Sequence, residues 1–305
     1  MELDSVYKTY RPLLLSIAYR MLGSVTQAED LVQDAFVTVQ QQNIHQEGGS
    51  IRNLKAYLCK IVTNRCLDDL KSARKNREVY VGPWLPEPLV QDYVLHPGTA
   101  AGQDPLQRIV LEDTISYAFL IMLERLTPIE RAVFILREAF EFEYRDIADF
   151  VDKTELGCRQ IFSRLKRKIQ EDRPQPEAIA SERSEQLVLR FLHATATGDM
   201  EGLFAMLADD IVLYNDGGGK VFAAVKPIVS SRRALAFIQG ILSKDNGLGR
   251  MRMVKINGQL GVVLSSPSES YPTIVSLELR DGRVQRIYIL RNPDKMQHLN
   301  LSLLS

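Results

Sequence analysis

The sequence predicts a multidomain protein in which two all-α units are followed by an α+β domain. Apolar residues recur at three- and four-residue spacing through most of residues 1–172, which is typical of amphipathic helices. After residue 184 the chain changes to alternating apolar segments that are interrupted by Asn257-Gly258 and Asp281-Gly282, two strong hairpin signals. A chain of 305 residues is also longer than one small core requires, so several compact units are expected.

The first unit, residues 1–78, is predicted to contain three helices. Gly23 supplies a left-handed stop after the first helix. Thr26 and Glu29 have the spacing of a capping box at the start of the second helix, and Ser50 can cap the third. The third helix carries a cluster of basic residues. Such a cluster indicates nucleic-acid binding only when it belongs to a fold that binds nucleic acid.

Residues 79–105 are expected to form a linker. Four prolines and three glycines between residues 79 and 104 prevent any long regular element. The segment contains Trp84 in the run Trp84-Leu85-Pro86-Glu87-Pro88, and an aromatic side chain in a polar linker often anchors it to a neighbouring surface. The alternative, that Trp84 is an aromatic residue exposed by chance, remains equally open.

The second unit, residues 106–173, is predicted to hold a helix-turn-helix over residues 127–170. Thr127, Pro128 and Glu130 combine an N-cap, a first-turn proline and the returning carboxylate of a capping box. A short helix from about residue 144 to 151 follows, with its apolar residues on one face.

The third helix of this unit has the composition of a DNA-reading helix. Thr154 caps it, after a turn in which Asp152 occupies a position that favours glycine. Its outer face combines arginine, which can read guanine, with glutamine, which can read adenine, so a major-groove recognition helix is favoured over a hairpin with a solvated basic face. The outer residues are Gln160, Ser163, Arg164 and Arg167, flanked by Arg159, Lys166 and Lys168 for phosphate contacts.

A second linker, residues 174–183, leads to the α+β domain at residues 184–305. Two helices are predicted first, and a curved antiparallel sheet that packs against helices follows. Catalysis is not expected, because the only plausible acid and base groups have no spacing that pairs them. These groups are His193, Asp209, Asp210 and Asp216.

Composition excludes several other classes of protein. No apolar stretch approaches the roughly 20 residues that span a bilayer, and the N-terminus lacks the apolar core of a signal peptide, so a cytoplasmic protein without a membrane partner is expected. Cys59, Cys66 and Cys158 are expected to be buried free thiols, because they lack the spacing of a zinc site or redox motif. The four histidines are scattered, so neither a metal site nor a cofactor is expected.

The first half of the chain resembles a known family. Residues 28–36, Ala-Glu-Asp-Leu-Val-Gln-Asp-Ala-Phe, resemble region 2.2 of bacterial sigma-70-type factors, the helix that docks on RNA polymerase. Residues 56–68 are similar to the following helix in the extracytoplasmic-function (ECF) class, and residues 127–170 resemble its region 4. The order of a polymerase-docking unit, a linker and a helix-turn-helix is that of this class.

Three further motifs extend the resemblance over nearly the whole chain. Residues 84–88, Asp216-Gly217-Gly218-Gly219-Lys220 and Asn292-Pro293-Asp294-Lys295 resemble signatures of the ECF41 subgroup. Members of that subgroup carry a C-terminal SnoaL-like domain of the NTF2-like cone fold, which regulates the sigma core in place of a separate anti-sigma protein. The resemblance therefore implies two sigma domains followed by an NTF2-like regulatory domain.

The resemblance implies an alternative sigma factor whose partners are core RNA polymerase, through its β and β′ subunits, and promoter DNA in double-stranded and melted form. It implies that the recognition helix reads the −35 element through Arg159, Gln160, Ser163, Arg164, Lys166 and Arg167. It implies that the first unit opens the −10 element, where the loop from Asn43 to Asn53 captures a flipped base. The −10 contacts implied are Asn64, Arg65, Lys71 and Arg74, and the polymerase contacts are Asp30, Gln33, Asp34 and Phe36.

We expect the glycine-rich loop at 216–220 to pack on the linker near Trp84, and to fix the spacing of the two DNA-binding units. The full set of regulatory contacts is then Trp84, Asp216, Gly217, Gly218, Gly219, Lys220, Asn292, Pro293, Asp294 and Lys295. A small-molecule ligand in the C-terminal domain is a further candidate partner. Two alternatives remain: a conventional helix-turn-helix regulator with a small-molecule-sensing domain, and a SnoaL-like isomerase or hydrolase fused to DNA-binding helices.

Overall fold

The computed structural model describes residues 3–45, 53–77, 80–93, 116–172, 182–244, 250–265 and 271–299. The chain forms two compact units. Of the described residues, those up to 77 and from 119 to 172 belong to unit 1, and those from 80 to 93, 116 to 118 and 182 to 299 belong to unit 2. The predicted second helical unit begins at residue 106, and its first ten residues lie outside the described part.

Unit 1 is helical. Its helices are α1 (Leu3–Leu22), α2 (Val25–His45), α3 (Leu54–Arg77), α5 (Pro128–Glu138), α6 (Tyr144–Val151) and α7 (Glu155–Asp172). Helix α4 (Tyr117–Leu123) begins in unit 2, and its residues from Phe119 onward belong to unit 1.

At the turn between α1 and α2, the predicted glycine stop is correct and the predicted helix cap is wrong. Gly23 has a φ of 68°, as the left-handed stop requires. Helix α2 begins at Val25, and the backbone N–H of Gln27 donates to the Ser24 hydroxyl at 3.2 Å. The predicted capping box at Thr26 is therefore wrong, because the chain enters the helix two residues earlier and Ser24 takes the capping position.

The predicted cap of α3 is also wrong. The helix begins at Leu54, and the Asn53 side chain accepts a hydrogen bond from the backbone N–H of Ala56 at 3.1 Å. Asn53 therefore caps α3, and Ser50, the predicted cap, lies outside the described residues. Serine and asparagine cap helices about equally well, so residue preference alone does not decide which of the two caps α3. The position at which the helix starts decides it.

The helix-turn-helix has the predicted helix ends. The Thr127 backbone N–H donates to the Glu130 carboxylate at 3.0 Å, and the Glu130 N–H donates to the Thr127 hydroxyl, which completes the capping box. Asp152 adopts the left-handed conformation at φ 52°. The Thr154 hydroxyl then accepts from the N–H of Gly157 at 3.1 Å and caps α7.

The first three helices and the helix-turn-helix pack against each other within unit 1. The guanidinium of Arg131 in α5 donates to the carbonyl oxygen of Met21 at 2.5 Å and pairs with Glu124 at 2.6 Å, and Arg131 is almost fully buried. Lys60 in α3 pairs with Asp149 in α6 at 2.8 Å. The two helical groups that the sequence separates by a linker are therefore parts of one compact unit.

Unit 2 contains a sheet of seven strands in its described part, in the order β1-β4-β5-β6-β7-β2-β3. The strands are β1 (Val90–Asp92), β2 (Leu207–Asp216), β3 (Ile228–Val229), β4 (Arg250–Ile256), β5 (Gln259–Ser265), β6 (Thr273–Arg280) and β7 (Arg283–Leu290). The helices of this unit are α8 (Glu182–Thr197), α9 (Met200–Met206), α10 (Ser231–Lys244) and a 3₁₀ helix, Pro293–Met296.

The two predicted hairpins are confirmed, but the sheet is mixed. Asn257-Gly258 joins β4 to β5 and Asp281-Gly282 joins β6 to β7, with positive φ at all four residues. Strand β2 pairs with β7 in parallel, so the expectation of an antiparallel sheet is wrong for this pair. No hairpin links β2 to β7, because α10 and four strands intervene, and therefore no turn imposes opposite directions on them.

One face of the sheet forms a hydrophobic core with the helices. Val188 and Phe191 of α8 and Ala234 of α10 pack against inward residues of the strands such as Leu213 and Ile287. Alternate residues of each strand point to opposite faces, so Tyr214 and Tyr288 lie on the other side of the sheet. The fold class predicted from the sequence, all-α units followed by an α+β domain, is confirmed.

The described part of the predicted linker belongs to this domain. Strand β1 forms an antiparallel pair with β4, in which Val90 lies opposite Ile256. The N–H of Leu89 donates to the Asn257 side chain at 3.1 Å, and the N–H of Asn257 donates to the carbonyl oxygen of Leu89 at 2.8 Å. Residues 80–93 are therefore tied to the C-terminal sheet.

Candidate DNA, polymerase and regulatory sites

The outer face of α7 presents a continuous polar stripe. Gln160, Ser163, Arg164 and Arg167 are exposed, and together with Arg159 they line one shallow surface depression. The opposite face buries Cys158, Leu165 and Ile169 against the rest of the unit, and Ile161 and Phe162 are half-buried. The 3.6-residue period of the helix produces this division, so the arrangement predicted for this helix is observed.

Arg164 is held by the residue that caps the preceding helix. Its guanidinium lies 2.7 Å from the carboxylate of Glu130, which also accepts hydrogen bonds from the backbone N–H and hydroxyl of Thr127. Partial burial acts to raise the pKa of Glu130, but the hydrogen bonds from Thr127 and the charge of Arg164 outweigh it and lower that pKa below its ordinary value. One carboxylate thus orients the start of α5 and an arginine of the recognition stripe.

Two cations of α7, Arg159 and Lys166, lie close to aromatic rings. Arg159 pairs with Glu155 at 2.6 Å and lies 4.6 Å from the ring centroid of Tyr144, and Arg137 lies 4.8 Å from the same centroid. The hydrogen bond from Arg159 to Glu155 raises the pKa of the Arg159 guanidinium. Lys166, another residue predicted for this surface, is exposed near the ring of Phe162.

The predicted polymerase contacts do not share one environment. Asp30, Gln33 and Asp34 are exposed on α2. Phe36 is only 5% exposed and packs against Tyr7, with ring centroids 4.8 Å apart. The assignment of Phe36 as a surface contact is therefore wrong for this structure. Its spacing from the buried residues of α2 places it on the face that packs inward.

The predicted −10 contacts lie on α3. Arg65 donates to the carboxylate of Asp34 at 3.0 Å and to the hydroxyl of Thr38 at 2.8 Å, so a predicted DNA contact and a predicted polymerase contact form one ion pair. Asn64 is exposed, and Lys71 pairs with Asp68 at 2.8 Å. The side chain of Arg74 and residues 46–52 of the predicted base-capturing loop lie outside the described residues.

In unit 2, Asp216 is the centre of a buried polar cluster. Its side chain is fully buried and accepts hydrogen bonds from the hydroxyl of Tyr80 at 2.5 Å, the backbone N–H of Leu85 at 2.8 Å and the N–H of Gly218 at 3.0 Å. Lys295 donates a fourth at 2.7 Å. The end of strand β2 therefore binds both the linker segment and the C-terminal 3₁₀ helix.

Lys295 closes this cluster from the other side. Its ammonium also donates to the carbonyl oxygen of Leu85 at 2.5 Å and lies 4.0 Å from the ring centroid of Trp84 and 4.9 Å from that of Tyr80. The carboxylate, the carbonyl oxygen and the two aromatic faces offset part of the cost of removing this ammonium from water. We call the group of Tyr80, Trp84, Leu85, Asp216, Asn292 and Lys295 the clasp.

The glycines of the 216–220 turn are required by close packing. A Cβ at Gly217 would lie 2.5 Å from the carbonyl oxygen of Val221. Gly218 has a φ of 60°, and a Cβ there would lie 2.3 Å from the amide nitrogen of Asn292. Gly219 has a φ of 71°. Only glycine fits these positions without displacing the chain.

The remaining predicted residues of this region are also close together. Asn292 donates to the Tyr80 hydroxyl at 2.9 Å and caps the 3₁₀ helix by accepting from the N–H of Asp294 at 3.1 Å. Lys220 pairs with Asp294 at 2.6 Å on the surface, and Pro293 is buried at the first turn. The structure thus brings the three motifs at 84–88, 216–220 and 292–295 into contact within unit 2.

Comparison with known proteins identifies the family. The models for Sigma-70 region 2 and Sigma-70 region 4 match residues 6–76 and 118–169. The chain is 32% identical over 302 residues to ECF RNA polymerase sigma factor SigJ of Mycobacterium tuberculosis, covering 95% of this chain and 92% of that protein. It belongs to the ECF family of RNA polymerase sigma factors.

Two further matches agree with this assignment. Probable ECF RNA polymerase sigma factor SigI of M. tuberculosis is 28% identical over 307 residues, covering 98% of this sigma factor and 97% of that protein. The crystal structure of M. tuberculosis SigJ superposes with a TM-score of 0.74 at 27% identity, covering 96% of this chain and 98% of that chain. Sigma factors of this family bind core RNA polymerase and promoter DNA to initiate transcription.

Tyr80 of the clasp and His298 were not predicted from the sequence of this sigma factor. Burial, and then the hydrogen bond to Asp216, raise the pKa of Tyr80, so its hydroxyl stays a donor to that carboxylate. His298 lies 2.9 Å from the carbonyl oxygen of Pro88 through Nε2, and its Nδ1 lies 3.6 Å from the Glu87 carboxylate. Tyr80 was detectable by the argument applied to Trp84, because an aromatic side chain in a polar linker often anchors it to a neighbouring surface.

The groups that the sequence offered for acid and base catalysis are not brought together. His193, Asp209 and Asp210 are exposed, and Asp210 accepts a hydrogen bond from Gln285, while Asp216 is engaged in the clasp. Within the described ranges, no cluster of three histidine, cysteine or acidic side chains is arranged to hold a metal ion. No helix in the same ranges is both long and apolar enough to cross a membrane.

The far face of the sheet has a buried polar cluster that sequence patterns did not reveal. The Tyr288 hydroxyl donates to Glu278 at 2.6 Å, and Arg286 pairs with the same carboxylate. Burial, with the nearby charge of Glu278, raises the pKa of Tyr288 well above its ordinary value. Tyr117 packs edge-on against Tyr288 and donates to the carbonyl oxygen of Pro86 at 2.7 Å. Tyr117 therefore contacts both the linker segment and the far face of the sheet.

Proposed function

We propose that this sigma factor reads the −35 promoter element with the stripe on α7, opens the −10 element with α3, and docks on the β and β′ subunits through α2. The observation that carries this proposal is the stripe itself, in which amide, hydroxyl and guanidinium groups share one exposed helix face. Within this proposal, Arg159 and Lys166 contact phosphates beside the bases that Gln160 and Arg164 read.

Binding of holoenzyme to promoters with a randomised upstream element tests the role of α7. Arg164→Ala is expected to cost about 1–3 kcal/mol and to relax one promoter position. The exposed Lys168 provides the matched control, since Lys168→Ala is expected to weaken all sequences equally. A uniform loss for Arg164→Ala would demote it to a phosphate contact.

The docking role of α2 requires a test that allows for the ion pair between Asp34 and Arg65. We expect Gln33→Ala and Asp34→Ala together to weaken binding of core polymerase, because both groups are exposed on one helix. Arg65→Met separates the two roles of Asp34, since this change breaks the ion pair but leaves the carboxylate in place. Gln239→Ala, at an exposed position of α10, is the control. Unchanged affinity of the double variant contradicts the assignment.

We also propose that the C-terminal domain regulates the sigma core through the clasp. Fourteen residues of the predicted linker, 80–93, are attached to the sheet and the 3₁₀ helix, which shortens the length of chain that can vary between the two DNA-binding groups. We retain 1–78, 106–173 and 184–305 as functional divisions. Within the same proposal, residues 184–305 form an NTF2-like domain that does not catalyse a reaction and that binds a small-molecule ligand. The proposal also places the protein in the cytoplasm.

In vitro transcription with core polymerase tests this regulatory role. Deletion of residues 292–305, and separately Trp84→Ala, are expected to change promoter output while polymerase affinity stays nearly constant. A chain that ends near Pro174 gives the output of the sigma core alone. Equal output from all four proteins contradicts regulation by the clasp. Turnover of a small substrate by the purified chain would contradict the non-catalytic assignment.

A further inference from the structure

A leucine stands exposed at the start of the recognition helix. Leu156 is 66% exposed, whereas the other apolar side chains of α7 face the core. It is the second residue of α7, directly after Glu155, and Thr154 caps the helix in front of it. Single exposed apolar residues are common on protein surfaces, so the exposure of Leu156 is informative only because of its place on the recognition helix.

The helical period places Leu156 on the polar stripe. Gln160 follows it by one turn, Ser163 and Arg164 by two turns and Arg167 by three. At about 100° per residue these five positions fall within an arc of about 100°, opposite the buried Cys158. Leu156 therefore extends the stripe to the N-terminal end of the helix, the end whose residues contact base edges in helix-turn-helix proteins.

The chemistry of the side chain restricts what it can read. Leucine has no hydrogen-bonding group, and the apolar group that a base presents in the major groove is the C5-methyl of thymine. We infer that Leu156 is a specificity-determining residue that packs against a thymine methyl group in the upstream promoter element. This inference rests on the proposed role of α7 in reading that element.

The expected size of the effect follows from burial of one methyl group. Burial of a methyl or methylene group corresponds to about a fourfold change in affinity. Removal of the leucine side chain leaves the fold intact, because the group is exposed and alanine is a better helix former than leucine. Leu156→Ala therefore tests recognition without a cavity in the core.

The experiment uses holoenzyme assembled from the full chain and core polymerase. Upstream elements are first selected from randomised DNA, and each thymine of the best element is then replaced singly by deoxyuridine, which lacks only the methyl group. For the wild-type chain, one position is expected to lose about fourfold in affinity. For Leu156→Ala, the thymine and deoxyuridine elements are expected to bind equally at that position.

Two controls define the outcome. Arg164→Ala is expected to retain the sensitivity to deoxyuridine, and Leu189→Ala, which removes an exposed leucine from α8, is expected to behave as wild type. Equal sensitivity of Leu156→Ala and wild type, or no sensitive thymine in wild type, overturns the inference. A loss of polymerase affinity with unchanged base preference also overturns it, because the side chain would then face protein.

These results separate the inference from the proposal on which it rests. If Gln160→Ala and Arg164→Ala alter preference at defined positions and Leu156→Ala does not, only the role of Leu156 fails. If none of the three alters base preference, the role of α7 fails, and the inference falls with it.

Discussion

The ammonium of Lys295 lies 2.7 Å from the Oδ2 atom of Asp216, and neither side chain is more than 9% exposed. The two residues are far apart in the chain, at the end of strand β2 and in the C-terminal 3₁₀ helix. Asp216 also accepts from the backbone of Leu85, and Lys295 donates to the carbonyl oxygen of the same residue. This ion pair therefore binds both the backbone N–H and the carbonyl oxygen of Leu85 in the linker segment.

Lys295→Met is expected to destabilise unit 2 by about 3–5 kcal/mol, because it leaves the Asp216 carboxylate buried without its counter-charge. The free energy of unfolding can be measured with denaturant on the full chain. Trp84, the only tryptophan in the sequence, lies against Lys295, so its fluorescence reports on the clasp directly.

The exposed pair of Lys220 and Asp294 supplies the control for this experiment. Both side chains are about half exposed, so Lys220→Met is expected to change the free energy of unfolding by less than about 1 kcal/mol. Equal losses for the two lysine variants would show that burial does not govern the strength of the clasp.

Asn257→Gly is expected to destabilise the attachment of the linker by about 1–3 kcal/mol. The residue keeps its left-handed turn, since glycine tolerates a φ of 47°, but the buried N–H of Leu89 loses its acceptor. Hydrogen exchange at the Leu89 amide measures this loss directly.

Asp281→Gly is the matched control, because Asp281 occupies the same position in the other hairpin at φ 51° and is exposed. We expect it to leave the Leu89 amide protected. If protection of Leu89 survives Asn257→Gly, the side-chain hydrogen bond does not hold the linker.

Glu130→Gln is expected to reduce the pH dependence of the free energy of unfolding of unit 1 at acid pH. The pKa of Glu130 is lowered in the folded chain, so its contribution is fully present above the ordinary glutamate pKa and is lost as pH falls through the lowered value. The difference in free energy of unfolding between wild type and Glu130→Gln should therefore shrink below about pH 4.

Glu141→Gln, at an exposed position after α5, is the comparison variant for this profile. A difference between wild type and Glu130→Gln that stays constant from pH 7 to pH 3 would mean that the carboxylate charge contributes nothing through Thr127 and Arg164.

The three thiols are expected to resist alkylation at pH 8 in the folded chain. Burial raises the pKa of Cys59 to about 12 and also raises the pKa values of Cys66 and Cys158, so each carries less thiolate than a free cysteine. Mass spectrometry after treatment with iodoacetamide should show labelling only when denaturant unfolds unit 1. Rapid labelling of Cys59 in the absence of denaturant would indicate that α3 opens locally.

Features that depend on a few neighbouring residues were predicted correctly. The capping box of Thr127 and Glu130, the left-handed turn at Asp152 and the two hairpins all follow from backbone preferences that act over four residues or fewer. The buried state of the three cysteines was also predicted and is confirmed. Where two local signals competed, as between Ser24 and Thr26, the choice depended on where the helix entered the core, and the prediction was wrong.

The division of α7 into a buried face and a polar stripe was determined by the sequence itself, because the helical period distributes its residues without help from distant segments. Which chain segments meet was decided only by the tertiary structure. The parallel pairing of β2 with β7 and the binding of Leu85 by Asp216 and Lys295 join residues that are remote in the chain. Their physical basis is the burial of charge and apolar surface in the folded units, and no short pattern of residues encodes it.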